Sequence, residues 1–123
     1  MTRRTASQWL LCAVLVLAPG LIAAQNVPRL LLEHIIRHVD WPQQRNTEAV
    51  LSLTAVRDLL DTYREDTRHR ITIRHPGGDY GNAWARELRD WLVALGIPSG
   101  QMLLEPGSGG QDRIVLLLEA TDP

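Results

Sequence analysis

The side chains best suited to binding an anion cluster around one short alternating run of residues. The run Ile71–Arg74 alternates apolar and polar side chains and predicts a β-strand. Successive strand side chains point to opposite faces, so Arg70, Thr72 and Arg74 are expected on one side. The whole basic cluster contains Arg68, His69, Arg70, Arg74 and His75. It predicts an anion site for cell-wall carboxylates, lipid headgroups or an acidic protein, and the alternative is a solvated face balanced by nearby acids.

The predicted strand is followed by the glycine-containing turn His75–Asp79. The turn lacks the Lys-Ser/Thr of a phosphate loop, so we interpret it as an ordinary strand-to-helix connection.

Two tryptophans on a predicted helix are candidates for a partner surface. Trp84 and Trp91 lie one heptad apart and therefore fall on one helix face. They belong to the core if the N-terminal segment covers them, and they form an exposed partner surface if it does not.

The sequence contains little evidence for a metal site, a cofactor site or a catalytic site. His34 and His38 have the i, i+4 spacing that chelates a metal on a helix, but no third ligand lies near them. Ser99 and Ser108 lie in glycine-containing loops without a neighbouring base. We therefore predict no metal site, no cofactor and no enzymatic activity.

The N-terminus predicts export across a bacterial inner membrane. Residues 1–24 read as a signal peptide, with Arg3 and Arg4 followed by the apolar run Trp9–Leu17 and small residues up to Ala24. The expected location is the periplasm, with membrane contact only through the signal peptide before cleavage; an uncleaved anchor is the alternative. Cys12, the single cysteine, lies within this segment.

Composition and periodicity predict one small α+β domain. The 123 residues carry 22% charged side chains and a net charge of −1, which disfavours nucleic acid as a partner. The predicted order is α-α-β-α-β-β, a two-layer sandwich with helices on one face of a small mixed sheet. The helices are expected at 28–40, from near Thr54, and at 82–95, and the strands at 71–74, 101–105 and 113–119. The continuous apolar run Ile114–Leu118 predicts a central strand.

The region from about residue 51 to residue 119 resembles the OmpA-like periplasmic domain, which associates with peptidoglycan. The resemblance rests on the Ile71-Thr72-Ile73 strand, on His75 at the motif histidine, on the Leu92…Gly96-Ile97-Pro98 corner, on the Gly107 and Gly109 loop, and on Arg113-Ile114-Val115. It implies an OmpA-like domain at 51–120, which follows the predicted signal peptide at 1–24 and an N-terminal helix and loop at 25–50.

The departures from the family pattern concern its wall-binding residues. In the family a motif Asp and a helix Arg bind the diaminopimelate unit of peptidoglycan. Here Gly77 falls where the Asp belongs, and Trp84 falls where the Arg belongs. The resemblance therefore implies a non-enzymatic envelope protein, an accessory or protein-interaction module of an envelope assembly, whose partner is a protein or the cell wall.

Two alternatives remain open. Asp79 and Arg86 could preserve residual wall binding. The stretch His34–Pro42 resembles the helix-then-Trp-Pro start of small periplasmic regulators of the YfiR type, which implies a ligand-responsive regulator.

Overall fold

Three helices lie on one face of a four-stranded mixed sheet in the computed structural model, which describes residues 27–65 and 68–121. The strands are β1 (Pro28–Arg37), β2 (His69–His75), β3 (Met102–Pro106) and β4 (Arg113–Thr121), and the helices are α1 (Thr47–Leu51), α2 (Thr54–Thr62) and α3 (Gly78–Ala94). Short 3-10 turns cover His38–Asp40 and Ser99–Gln101. The predicted signal peptide lies outside the described residues.

The sheet has the strand order β1-β4-β2-β3. Strands β2 and β3 are parallel and are joined through α3, whereas β4 runs antiparallel to both of its neighbours. The prediction that the run Ile114–Leu118 occupies a central strand is therefore confirmed.

The core lies between the helices and one face of the sheet. Fully buried strand side chains alternate along the chain, as Ile71 and Ile73 do in β2 and as Ile114, Leu116 and Leu118 do in β4. They pack with the buried helix residues Val56, Leu59, Leu88 and Leu92. Arg70 and Arg74 point to the opposite, open face and are exposed. The predicted fold class, α+β with helices on one face, is confirmed.

The predicted first helix is wrong, because residues 28–37 form the edge strand β1. From Leu32 to Arg37 the strand pairs with β4 without interruption, and a register shift precedes it between Leu30 and Leu32. The even-numbered residues, such as Ile36, face the helices, and the odd-numbered residues, such as Ile35, face away. The observed order is β-α-α-β-α-β-β, so it matches the predicted order only loosely.

Helix boundaries also differ from those expected from the sequence. The residues before the predicted second helix form a separate helix, α1, and its N-cap Asn46 accepts a hydrogen bond from the Ala49 N–H at 2.8 Å. The predicted start of α2 at Thr54 is confirmed. Helix α3 starts at Gly78, four residues before the predicted start at residue 82.

Gly81 allows the first turns of α3 to lie directly against the end of β2. A Cβ atom added at Gly81 would lie 1.7 Å from the Pro76 carbonyl oxygen, a backbone atom that no side-chain rotation can move away. Only glycine fits this contact, and the contact fixes the position of the helix over the sheet.

We expect Gly81→Ala to lower the free energy of unfolding by about 3 kcal/mol, because the added methyl group forces α3 away from Pro76. Urea denaturation measures this change. Gly100→Ala is the matched control, since nothing lies within 4 Å of a Cβ there, and it should change stability by less than about 0.5 kcal/mol. Equal effects of the two substitutions would contradict the proposed contact.

Candidate functional site

The predicted basic cluster is divided between the two faces of the sheet. Arg70 and Arg74 share the open face, as alternation requires. Arg74 Nε donates to Glu105 Oε1 at 2.9 Å, and Arg70 is paired in register with Glu119. These cations are therefore balanced by acids on neighbouring strands.

His75 lies on the opposite face from these arginines. It is buried at the end of β2, where its Nδ1 donates to the Pro76 carbonyl oxygen at 2.7 Å. Because the odd-numbered residues of this strand face the helices, His75 does not share a face with Arg70 and Arg74.

Asp79 and Arg86 are both exposed on α3. Seven residues of helix place them on nearly the same face but about 10 Å apart along the axis. They can contact only opposite ends of a ligand, so they do not form a compact charged site.

Trp84 and Trp91 border different hollows rather than one common surface. Trp91 is half-buried and lines a shallow depression with Glu87, Asp90 and Ala94. Trp84 is only 5% exposed and packs instead against the chain that follows β1. The structure therefore divides the predicted pair between two places.

An aromatic cleft lies around Trp84 and is formed with His38, Trp41 and Tyr80. The Trp84 ring centroid lies 5.4 Å from that of His38 and 6.1 Å from those of Trp41 and Tyr80. The His38 and Trp41 contacts have edge-to-face geometry, the arrangement that aromatic quadrupoles favour. The cleft has a volume of about 200 Å³ and is also lined by Arg45, Ala83 and Glu87.

Two distant segments build the aromatic cleft. Helix α3 contributes Tyr80, Ala83, Trp84 and Glu87, whose i, i+3, i+4, i+7 spacing puts them on one helix face. The 3-10 turn after β1 contributes His38, and Trp41 follows directly before Pro42, which prevents the turn from continuing as a helix.

A bidentate ion pair fixes the segment that follows β1 against helix α3. Arg45 Nε donates to Glu87 Oε2 at 2.6 Å, and Nη2 donates to Oε1 at 3.1 Å. Arg45 Nη1 also donates to the carbonyl oxygens of Pro42 and Gln43. The Glu87 hydrogen bond raises the pKa of Arg45 above its ordinary value. The two charges neutralise each other, so the rim of the cleft carries no free charge from this pair.

Trp84 has a buried donor without an acceptor. Its Nε1 is inaccessible to solvent and has no hydrogen-bond partner within the described part of the chain. A buried indole N–H usually finds an acceptor, and leaving one unpaired costs about 1–3 kcal/mol. Trp84 therefore lines the cleft through its ring, and its N–H is buried and unpaired.

A second hollow adjoins the aromatic cleft across Trp41 and Arg45. It has a volume of about 400 Å³ and is lined by His38, Val39, Trp41, Pro42, Gln43 and Arg45. The two hollows share His38, Trp41 and Arg45 in their linings, so they adjoin at these side chains, and together we call them the groove.

No local sequence pattern predicts this cleft. His34 and His38 were predicted to lie on one helix, yet His34 lies in β1 and His38 lies in the 3-10 turn that follows. These two residues therefore lack the helical geometry that chelates a metal. Tyr80, Arg45 and Glu87 were not singled out. The one available signal was the spacing of Tyr80, Trp84 and Glu87 on a single helix face.

Other kinds of site find no support in residues 27–65 and 68–121. Within these ranges no group of three or more His, Cys, Asp or Glu side chains could hold a metal ion, and no helix is long and apolar enough to cross a membrane. Comparison with protein-family models and with curated proteins gave no match.

We expect Trp84→Phe to cost less than about 1.5 kcal/mol of stability, because the substitution removes an N–H that has no acceptor. Trp84→Ala should cost about 3–5 kcal/mol, because it removes the ring around which the cleft packs. Urea denaturation of the two variants distinguishes ring packing from hydrogen bonding. Equal losses would indicate that Nε1 has a partner after all.

Proposed function

We propose that this chain is a non-enzymatic accessory protein of the bacterial periplasm, built on an OmpA-like fold, that binds a protein partner of an envelope assembly through the aromatic cleft. The observation that carries the proposal is the identity of the residue at the centre of the cleft. Trp84 stands at the position where the resembled family has the arginine of its wall-binding site.

The element order supports the resemblance on which this proposal rests. From α2 to β4 the chain runs helix, strand, helix, strand, strand, which is the order that the family pattern implies. The corner Gly96-Ile97-Pro98 follows α3, and the loop between β3 and β4 holds Gly107 and Gly109 at φ values of 110° and 91°. Such positive φ values favour glycine, so the loop glycines have a backbone reason to be there.

The charges of the cleft argue against a wall-peptide ligand. A ligand with an ammonium and a carboxylate needs a free acid and a free base. Gly77 stands at the expected acid and Trp84 at the expected base. The charged residues that do line the cleft, Arg45 and Glu87, are hydrogen-bonded to each other.

The shape and chemistry of the cleft fit an extended protein segment that presents one prolyl or branched aliphatic side chain. A volume of about 200 Å³ accepts a single side chain of this size. Grooves lined by aromatic rings bind extended, proline-rich segments by packing against the rings. The adjoining hollow has room for the continuation of the segment.

The alternative function, a ligand-responsive regulator of the YfiR type, has less support than cleft binding. The resemblance to YfiR-type regulators implied a helix before Trp41, whereas a strand and a 3-10 turn precede it. The anion site that this alternative needs would use Arg70 and Arg74, which face Glu119 and Glu105 on adjacent strands.

The first test is co-sedimentation of the full chain with isolated peptidoglycan sacculi at low and moderate salt. We expect no binding that survives moderate salt, because the charged pair for the wall peptide is missing. Salt-resistant binding that is lost in Asp79→Ala or Arg86→Ala would contradict the proposal and would indicate a displaced wall site.

The second test places a photo-crosslinking amino acid at Tyr80, which lies exposed beside the cleft, in a bacterium that expresses the full chain. We expect one discrete protein adduct that Ala83→Trp abolishes by filling the cleft and that Asn82→Trp, on the neighbouring exposed position, preserves. The crosslinker at Val93, similarly exposed on the same helix, is the positional control. An adduct that is equally strong from Val93, or that is unaffected by Ala83→Trp, would contradict cleft binding.

A further inference from the structure

The outer edge of β1 is free, and the strand exposes two large apolar side chains. Strand β1 lies at the end of the sheet, and no described strand pairs with its outer edge. Ile35 is 52% exposed and Leu30 is 51% exposed. A long edge strand with exposed apolar residues is a template for pairing with another strand.

The edge is also open on the side of the helices. A hollow of about 360 Å³ lies beside the centre of β1, between His34–Ile36 on one side and Ser52–Ala55 on the other. A hydrogen bond of 2.8 Å between His34 Nε2 and Asp58 Oδ2 joins the middle of β1 to α2. Helix α2 therefore packs over β1 while leaving space along its edge.

We propose that a second copy of this chain pairs with that edge, strand β1 against strand β1, in a two-fold antiparallel register centred on Ile35. This register extends the sheet from one copy into the other. It joins the main chains of residues 33–37 of both copies, and it requires no change in the pairing of β1 with β4. The inference goes beyond the cleft and does not depend on it.

Charge complementarity selects this register. Glu33, Ile35 and Arg37 all lie on the open face of the sheet, because β1 pairs with β4 without irregularity from Leu32 onward. In a two-fold antiparallel pair centred on Ile35, Glu33 lies opposite Arg37 of the second copy, and the pair occurs twice. The two Ile35 side chains then face each other across the axis, and opposite-charge and apolar cross-strand pairs both stabilise a sheet.

Neighbouring registers are less favourable. A register centred on His34 places Glu33 opposite Ile35 and leaves its charge unpaired. A register centred on Glu33 places the two Glu33 carboxylates opposite each other, which is destabilising. A register that places an odd-numbered residue opposite an even-numbered one would pair the open face of one copy with the helix-covered face of the other. The two-residue alternation of strand side chains forbids this arrangement.

The remaining charges near this register do not oppose it. Asp112 lies next to the end of β1, because the His38 N–H donates to the Asp112 carbonyl oxygen at 2.7 Å. A hydrogen bond from Arg113 is the main cause that lowers the pKa of Asp112, and the charge of Arg37 contributes a smaller effect. Neither Glu33 nor Arg37 forms an ion pair with another described residue. Both side chains are therefore available to a second copy.

Charge reversal on the full chain tests the register. We expect sedimentation velocity to show a concentration-dependent dimer that Glu33→Arg or Arg37→Glu weakens about tenfold, because each places like charges opposite each other twice. The double variant Glu33→Arg/Arg37→Glu should restore the dimer. A chain that is monomeric at every concentration, or a double variant as weak as the singles, would overturn the proposal.

Disulfide trapping provides a second readout that does not depend on affinity. In a Cys12→Ser background, Ile35→Cys should form an intermolecular disulfide under mild oxidation, because directly opposed antiparallel residues lie within bridging distance. Leu103→Cys is the control, since Leu103 is similarly exposed on the same face but at the far edge. Equal trapping at both positions, or trapping of Ile35→Cys only to a different protein, would overturn the proposal.

Discussion

The pairing of β1 with β4 is the interaction on which the rest of the structure depends. Strand β4 is the apolar centre of the sheet, and its backbone groups are buried along both edges. A buried backbone N–H or C=O without a partner is costly, so both edges of β4 require a neighbouring strand. Strand β2 satisfies one edge, and β1 satisfies the other.

The same pairing positions the candidate site. Because β1 ends beside the start of β4, the following 3-10 turn delivers His38 and Trp41 to the first turns of α3. The Arg45–Glu87 ion pair then closes the connection from the other side. Each contact joins residues about forty positions apart, so the cleft exists only when the sheet is complete.

Local periodicity predicted the elements whose pattern has only one interpretation. The alternation of Ile71–Arg74, the stripe of α3 and the continuous run of β4 each fit a single period, and the structure has a strand, a helix and a central strand there. The segment Leu30–Ile36 fits both periods over so short a length, and β4 decides between them. The position of His75 opposite Arg74 followed from the alternation rule already applied to that strand. The cleft did not follow from any local pattern, because its residues come from segments far apart in sequence.

The two proposed surfaces use different parts of one strand and therefore test different things. The turn that follows β1 contributes His38 and Trp41 to the cleft. The outer edge of β1 and its side chains on the open face form the surface proposed for self-pairing. Glu33 and Arg37 line neither hollow of the groove, so charge reversal there leaves His38, Trp41 and Trp84 in place. A two-fold dimer through β1 also carries two clefts, one from each copy, at fixed positions relative to the shared sheet. A partner that offers two matching segments would then bind more tightly than its single-site affinity predicts, because the second contact becomes intramolecular.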